Sequence, residues 1–170
     1  MERWSAMFGF KNKTSEEVQT PLFTNVLLVV DGSEASVAAA NFAVRMAVQQ
    51  KCALAAVYVI DTATLDYLLQ MRIFVNQERE DFERDLEKTG ARYLEYVSTI
   101  ARNNGTVIET VLRHGSIHQE ILQEARERGV DAIVLGGWKR TIARKDVASV
   151  ERQHILDQAD CPVLVVKGGD

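Results

Sequence analysis

The sequence predicts an α/β domain, a parallel sheet with helices covering both faces. Three observations carry the prediction. Short apolar runs alternate with longer segments of helical periodicity, the order that successive right-handed crossovers produce. The runs "NVLLVV", "ALAAVYVI" and "PVLVV" are continuous rather than alternating, as in strands buried on both sides. The chain's 170 residues, 46% apolar and 26% charged, suit one globular domain with a real core.

The elements follow in order. "NVLLVVD", Asn25 to Asp31, reads as the first strand and ends in an acid. "GSEAS" is a turn in which Ser33 caps the next helix. Val37, Ala40, Val44, Ala47 and Val48 give that helix an apolar stripe as far as Gln50. "ALAAVYVID", 53–61, is the second strand. Residues 62–77 fit either a short helix or a lid over a site. A long charged helix runs from Gln77 to Asn103, with Phe82, Leu86, Tyr93, Val97 and Ile100 as its stripe. "NNG", 103–105, suits its left-handed end. "TVIETVLRHG", 106–115, alternates like a strand. "SIHQ", 116–119, is a capping box, Ser at the cap and Gln three residues on. It opens a helix to Arg128, closed by Gly129. "DAIVLGG" is the fourth strand, 147–158 the last helix and "PVLVVK", 162–167, the fifth strand.

Composition narrows the function. A net charge of −4 argues against a protein whose main task is binding nucleic acid. No apolar run approaches the roughly 18 residues of a membrane span. Cys52 and Cys161 stand apart, without metal-ligand spacing, and read as buried thiols in a reducing cytoplasm. Residues 1–20 read as an arm and linker ahead of a domain at 21–170. Trp4, Met7, Phe8 and Phe10 could give the arm one apolar face, though a loosely ordered arm is the simpler reading.

In such sheets ligands bind outside the carboxyl ends of the strands, where strand order reverses. Asp31, Asp61 and Gly136–Gly137 stand at predicted strand ends. A carboxylate at Asp31 can accept from a nucleobase or ribose, or simply from the Gly32–Ser33 turn.

"NVLLVVDGSEAS", "AVYVID", "GVDAIVLGG" and "ILDQADCPVLVVKG", in this order and at these distances, resemble the universal stress protein family. The resemblance covers residues 24–168. It implies a flavodoxin-like three-layer sandwich of the adenine-nucleotide alpha-hydrolase-like type, with a five-stranded parallel sheet in order 3-2-1-4-5. It also implies a homodimer paired along the fifth strand, 162–167, whose apolar "VLVV" edge would otherwise be an aggregation hazard.

ATP-binding members of this family carry G-x2-G-x9-G-(S/T) after strand four. Its glycines let backbone N–H groups approach the phosphates. Laid on this sequence, the first glycine is Gly136, followed by Gly137. The second falls on Lys139, the third on Ser149 and the hydroxyl position on Val150. Sliding the end by one residue gives Ala148 and Ser149. The outline of the cradle is present and most of its glycines are not. Lys139, Arg140, Arg144 and Lys145 crowd the same loop and could hold an anion by charge, or form a solvated basic loop facing the acidic helix 78–87. Asp31 and Val59 match family positions that touch nucleotide.

No nucleophile elbow, HExxH or Walker A motif occurs. His114 and His118 could make a metal pair but lack an evident third ligand, and they read as exposed histidines at a helix start. His154 has no assigned partner. The sequence therefore supports a cytoplasmic regulatory module of the universal stress protein type. Such a module requires no cofactor, does not bind ATP in the usual way, and works on an unknown protein partner. The alternatives are a member that binds ATP, ADP or AMP, with magnesium and at most slow hydrolysis, and a small α/β enzyme of unknown substrate.

Overall fold

In the computed structural model, residues 21–73, 76–137 and 147–168 are described. Strand β1, Asn25–Val29, leads through Ser33 into helix α1, Glu34–Gln50, and then to strand β2, Ala53–Asp61. Helices α2, Thr62–Gln70, and α3, Asn76–Asn103, precede strand β3, Glu109–Gly115. Helix α4, Ile117–Arg128, strand β4, Ala132–Gly136, helix α5, Val147–Gln158, and strand β5, Val163–Val166, complete the order. The strands form one parallel sheet, β3-β2-β1-β4-β5. Strand order reverses at β1, between β2 and β4.

Alternation along β1 divides the core into two layers. Val26 and Leu28 point into a cluster with Ala39, Ala40, Ala43 and Val44 of α1 and Leu94 and Val97 of α3. Leu27 points the other way, toward Ile121 and Leu122 of α4 and Ile155 of α5. The middle of the central strand, Val26 to Leu28, is buried on both faces, which explains why those three residues are all apolar. The result is the three-layer sandwich and strand order expected from the sequence.

Local chemistry fixes the joints. The Ser33 hydroxyl accepts from the Ser36 N–H at 3.1 Å, capping α1 as expected. Gly32 has φ +79°, and a Cβ there would lie 2.5 Å from the Tyr93 ring, so only glycine suits this turn. Asp61 ends β2 and caps α2, accepting from the Thr64 N–H at 2.9 Å and the Thr64 hydroxyl at 2.6 Å. That cap settles residues 62–70 as a helix. At the other end of the sheet, Asp131 accepts from the Thr24 N–H at 2.6 Å and hydroxyl at 2.7 Å, tying the start of β1 to the start of β4.

Several expectations need correction. Ser116 makes no side-chain cap bond to α4, because its hydroxyl lies 3.3 Å from His118 Nδ1 instead. Strand β1 stops at Val29, before Asp31, and β3 begins at Glu109, where Ala55 first offers a partner. Phe82 is 48% exposed, while Leu94, which was not in the expected stripe, is buried. Val48 is 44% exposed, and Ala39 and Ala43 take the core side of α1. Cys52 is buried, but Cys161 is only partly so. Burial pushes the Cys52 thiol up in pKa. The arm at 1–20 and the basic residues Lys139, Arg140, Arg144 and Lys145 lie outside the described residues.

Candidate functional site

The carboxyl ends of β1, β2 and β4 enclose two adjoining cavities at the point where strand order reverses. The larger, about 230 Å³, is lined by Asp31, Tyr58, Val59, Asp61, Leu86 and Ile117, among others. The smaller, about 70 Å³, runs from Asp31 past Gly136 to Glu151 and Arg152. Val29, Asp31, Ile117 and Ile121 line both, so the two adjoin. Mostly apolar walls with a few carboxylates match a ligand pocket for a flat, partly apolar group. A further cavity of about 250 Å³, near Leu122, Ile133 and Cys161, lies at the amino ends of β4 and β5. It lacks the convergence of strand ends.

Asp31 is the polar centre. One carboxylate oxygen accepts from the Ser33 N–H at 2.9 Å. The other accepts from Arg152 Nη2 at 2.8 Å, from α5 across the cavity mouth. Burial pushes the Asp31 carboxyl up, yet the Ser33 hydrogen bonds and the Arg152 charge outweigh it and hold the carboxyl below its ordinary value. Asp31 therefore closes an Asx turn, as one of its two readings expected, and it also lines both cavities. A carboxylate has about four lone-pair sites, so acceptor capacity remains for a ligand beside Ser33 and Arg152.

The strand ends place Asp31 and Val59 on one cavity and Asp31 and Gly136 on the next. Gly136 has a packing reason of its own. A Cβ there would lie 2.6 Å from both the carbonyl carbon of Ala35 and the amide nitrogen of Ser36 at the start of α1. The Gly137 N–H donates to the Val166 carbonyl at 2.6 Å, pairing it with the end of β5. Val150 is 37% exposed on α5. The loop that would carry the remaining phosphate contacts is not among the described residues, nor is the side chain of Ser149.

Sequence reasoning missed Arg152 and Glu151. Glu151 accepts from the His118 N–H at 2.8 Å, and its Oε2 lies 2.8 Å from His118 Nδ1. His118 is thus half-buried and engaged, not an exposed helix-start residue. His154 meets it edge-on, with ring centroids 4.6 Å apart. His114 is the more exposed histidine, 2.9 Å from Glu87. A signal for the first group was legible, because Glu151 and His154 stand three apart on one helix face. Ser116 and Glu151 both approach the same nitrogen of His118. That arrangement is not the relay of a hydrolytic triad, in which serine and acid sit on opposite ring nitrogens.

Comparison with known proteins agrees with this architecture. Universal stress protein YxiE of Bacillus subtilis is 29% identical over 152 residues, covering 86% of this chain and all of that one. The solved structure of MJ0577, described as a hypothetical protein whose biochemical function was assigned from structure, superposes with a TM-score of 0.68 at 19% identity. It covers 88% of this chain and 99% of that one. A universal stress protein family protein from Arabidopsis thaliana, solved with AMP bound, superposes with a TM-score of 0.57 at 18% identity, over 86% of this chain and 92% of that one. At such identities the two structures speak for the fold alone. A model of the Universal stress protein family matches residues 22–167, from the Asp131-braced start of β1 to the end of β5, and so takes in every strand and both cavities. The chain belongs to the universal stress protein family.

Proposed function

We propose that this protein is a cytoplasmic regulatory module that binds an adenine mononucleotide, with AMP as the reference ligand, at the carboxyl ends of β1, β2 and β4. The observation that carries this reading is the cavity bounded by Asp31, Val59 and Asp61. Its volume of about 230 Å³ lies below the roughly 300–1,000 Å³ typical of drug-sized ligands, so it takes a base and part of a ribose rather than a whole triphosphate. The backbone of Val59 faces the base, and the free lone pairs of Asp31 accept from a ribose hydroxyl. A single phosphate then extends past Gly136 toward Lys139 and Arg140 in the sequence. The AMP carried by the Arabidopsis relative supports the same ligand class.

The tail of ATP is less well provided for. Lys139 and Ser149 stand where the glycines of the phosphate cradle would be, and side chains there obstruct close backbone approach. ATP, with or without magnesium, is therefore the weaker ligand, and no hydrolysis is required. The module acts as a homodimer through the β5 edge and passes its state to a protein partner.

Equilibrium dialysis with labelled AMP tests the role of Asp31. Asp31→Ala should weaken binding by about tenfold or more, the loss expected for a hydrogen bond to a charged group. Unchanged affinity in a folded Asp31→Ala protein would remove Asp31 from the site. A second reading, a module that works through its surface without nucleotide, is favoured by one observation, that Arg152 already occupies part of Asp31.

A further inference from the structure

A second site adjoins the smaller cavity, which Glu151 also lines, where the start of α4 meets α5. His118, Glu151 and His154 each present one donor atom, and the three atoms lie within 4.8 Å of one another. Two imidazoles and one carboxylate form a borderline donor set, suited to zinc, cobalt or nickel rather than to magnesium or calcium. His154 Nδ1 is buried and has no hydrogen-bond partner. Buried polar atoms are almost always paired, so an orphan here calls for an explanation. His118 Nδ1 lies 2.8 Å from Glu151 and 3.3 Å from the Ser116 hydroxyl, contacts that a cation can replace.

We propose that His118, Glu151 and His154 bind one divalent transition-metal ion, zinc in type, with a fourth position open to water. Tetrahedral ligation at about 2.0–2.1 Å sets donor atoms about 3.3 Å apart. The side chains therefore close by up to about 1.5 Å on the His154 side, and the His118–Glu151 contact opens by about half an ångström. The Glu151 carboxylate keeps the backbone N–H of His118 as an outer partner, which orients it for the ion. His118 and Glu151 retain 15% and 18% side-chain exposure, enough for an ion to enter from solvent. Bound metal ties α5 to α4 one residue from Arg152, the partner of Asp31. The site does not depend on the nucleotide reading.

Cobalt titration of the untagged, chelator-stripped full-length chain reads the site directly. The expected result is visible d–d absorption saturating at one cobalt per chain and bleached by zinc. His154→Ala and Glu151→Gln should each weaken cobalt binding by well over about a hundredfold, beyond the roughly 10–100-fold that loss of an outer partner costs. Glu151→Gln keeps an acceptor for the His118 N–H, so it removes the ligand charge with little change to the fold. Zinc should raise the melting temperature of the unmodified chain and leave that of Glu151→Gln unchanged. His114→Ala, in the exposed group with Glu83 and Glu87, should bind cobalt as the unmodified chain does. Absent or non-saturable binding would overturn the proposal, as would binding abolished by His114→Ala and untouched by Glu151→Gln.

Discussion

Asp31 does two things at once. It closes the turn into α1 and holds Arg152, whose side chain is 13% exposed, against the strand ends. Its carboxyl sits below the ordinary value of 3.8 in the folded chain. A depressed folded value means that its stabilisation is complete above the unfolded value and is lost as pH falls through the folded one. The denaturation midpoint of the unmodified chain should therefore drop more steeply between about pH 5 and about pH 3 than that of Asp31→Asn. Chemical denaturation across that range reads the difference. The slope will shrink rather than vanish, because Asp131 shifts in the same direction. Burial raises the Asp131 carboxyl, but hydrogen bonds from Thr24 and Asn25 outweigh it. Identical slopes for the two proteins would mean that the Ser33 and Arg152 contacts do not hold the Asp31 carboxyl down in solution.

At the scale of elements, Gly136 shows how one residue can serve a motif and a joint. Its lack of a side chain lets the end of β4 pass the first turn of α1, against Ala35 and Ser36 backbone. Gly136→Ala should cost about 1–3 kcal/mol by overpacking, since the obstacle is backbone and cannot rotate away. Urea denaturation measures it, and a change under about half a kcal/mol would show that the joint has slack. Gly136 alone is thus weak testimony for a phosphate cradle. The strands were legible because continuous apolar runs need two covered faces, and the Ser33 cap because its geometry is local. The capping box at Ser116 misled because His118, two residues on, competes for the same hydroxyl. Arg152 and the His118–Glu151–His154 group were harder to see, since α4 and α5 meet only through the fold, with 33 residues separating His118 from Glu151.

For the whole molecule, β3 and β5 are the edge strands of the sheet among the described residues. Strand β5 is short and apolar, and Val165 is 38% exposed. An unpaired apolar edge invites pairing with a second copy. Sedimentation of the full chain should give a dimer, and Val165→Lys should shift it to monomer while leaving the fold intact. A monomer from the unmodified chain would place the regulatory surface elsewhere. The two cavities and the missing glycines of the cradle together motivate the central proposal, that the ligand is a nucleoside monophosphate. Calorimetry with AMP and with Mg-ATP, on one preparation of the full-length chain, tests that claim most directly. The account predicts saturable heat with AMP at one site per chain and weaker binding of ATP. No heat at millimolar AMP, or ATP binding tighter than AMP, would contradict it.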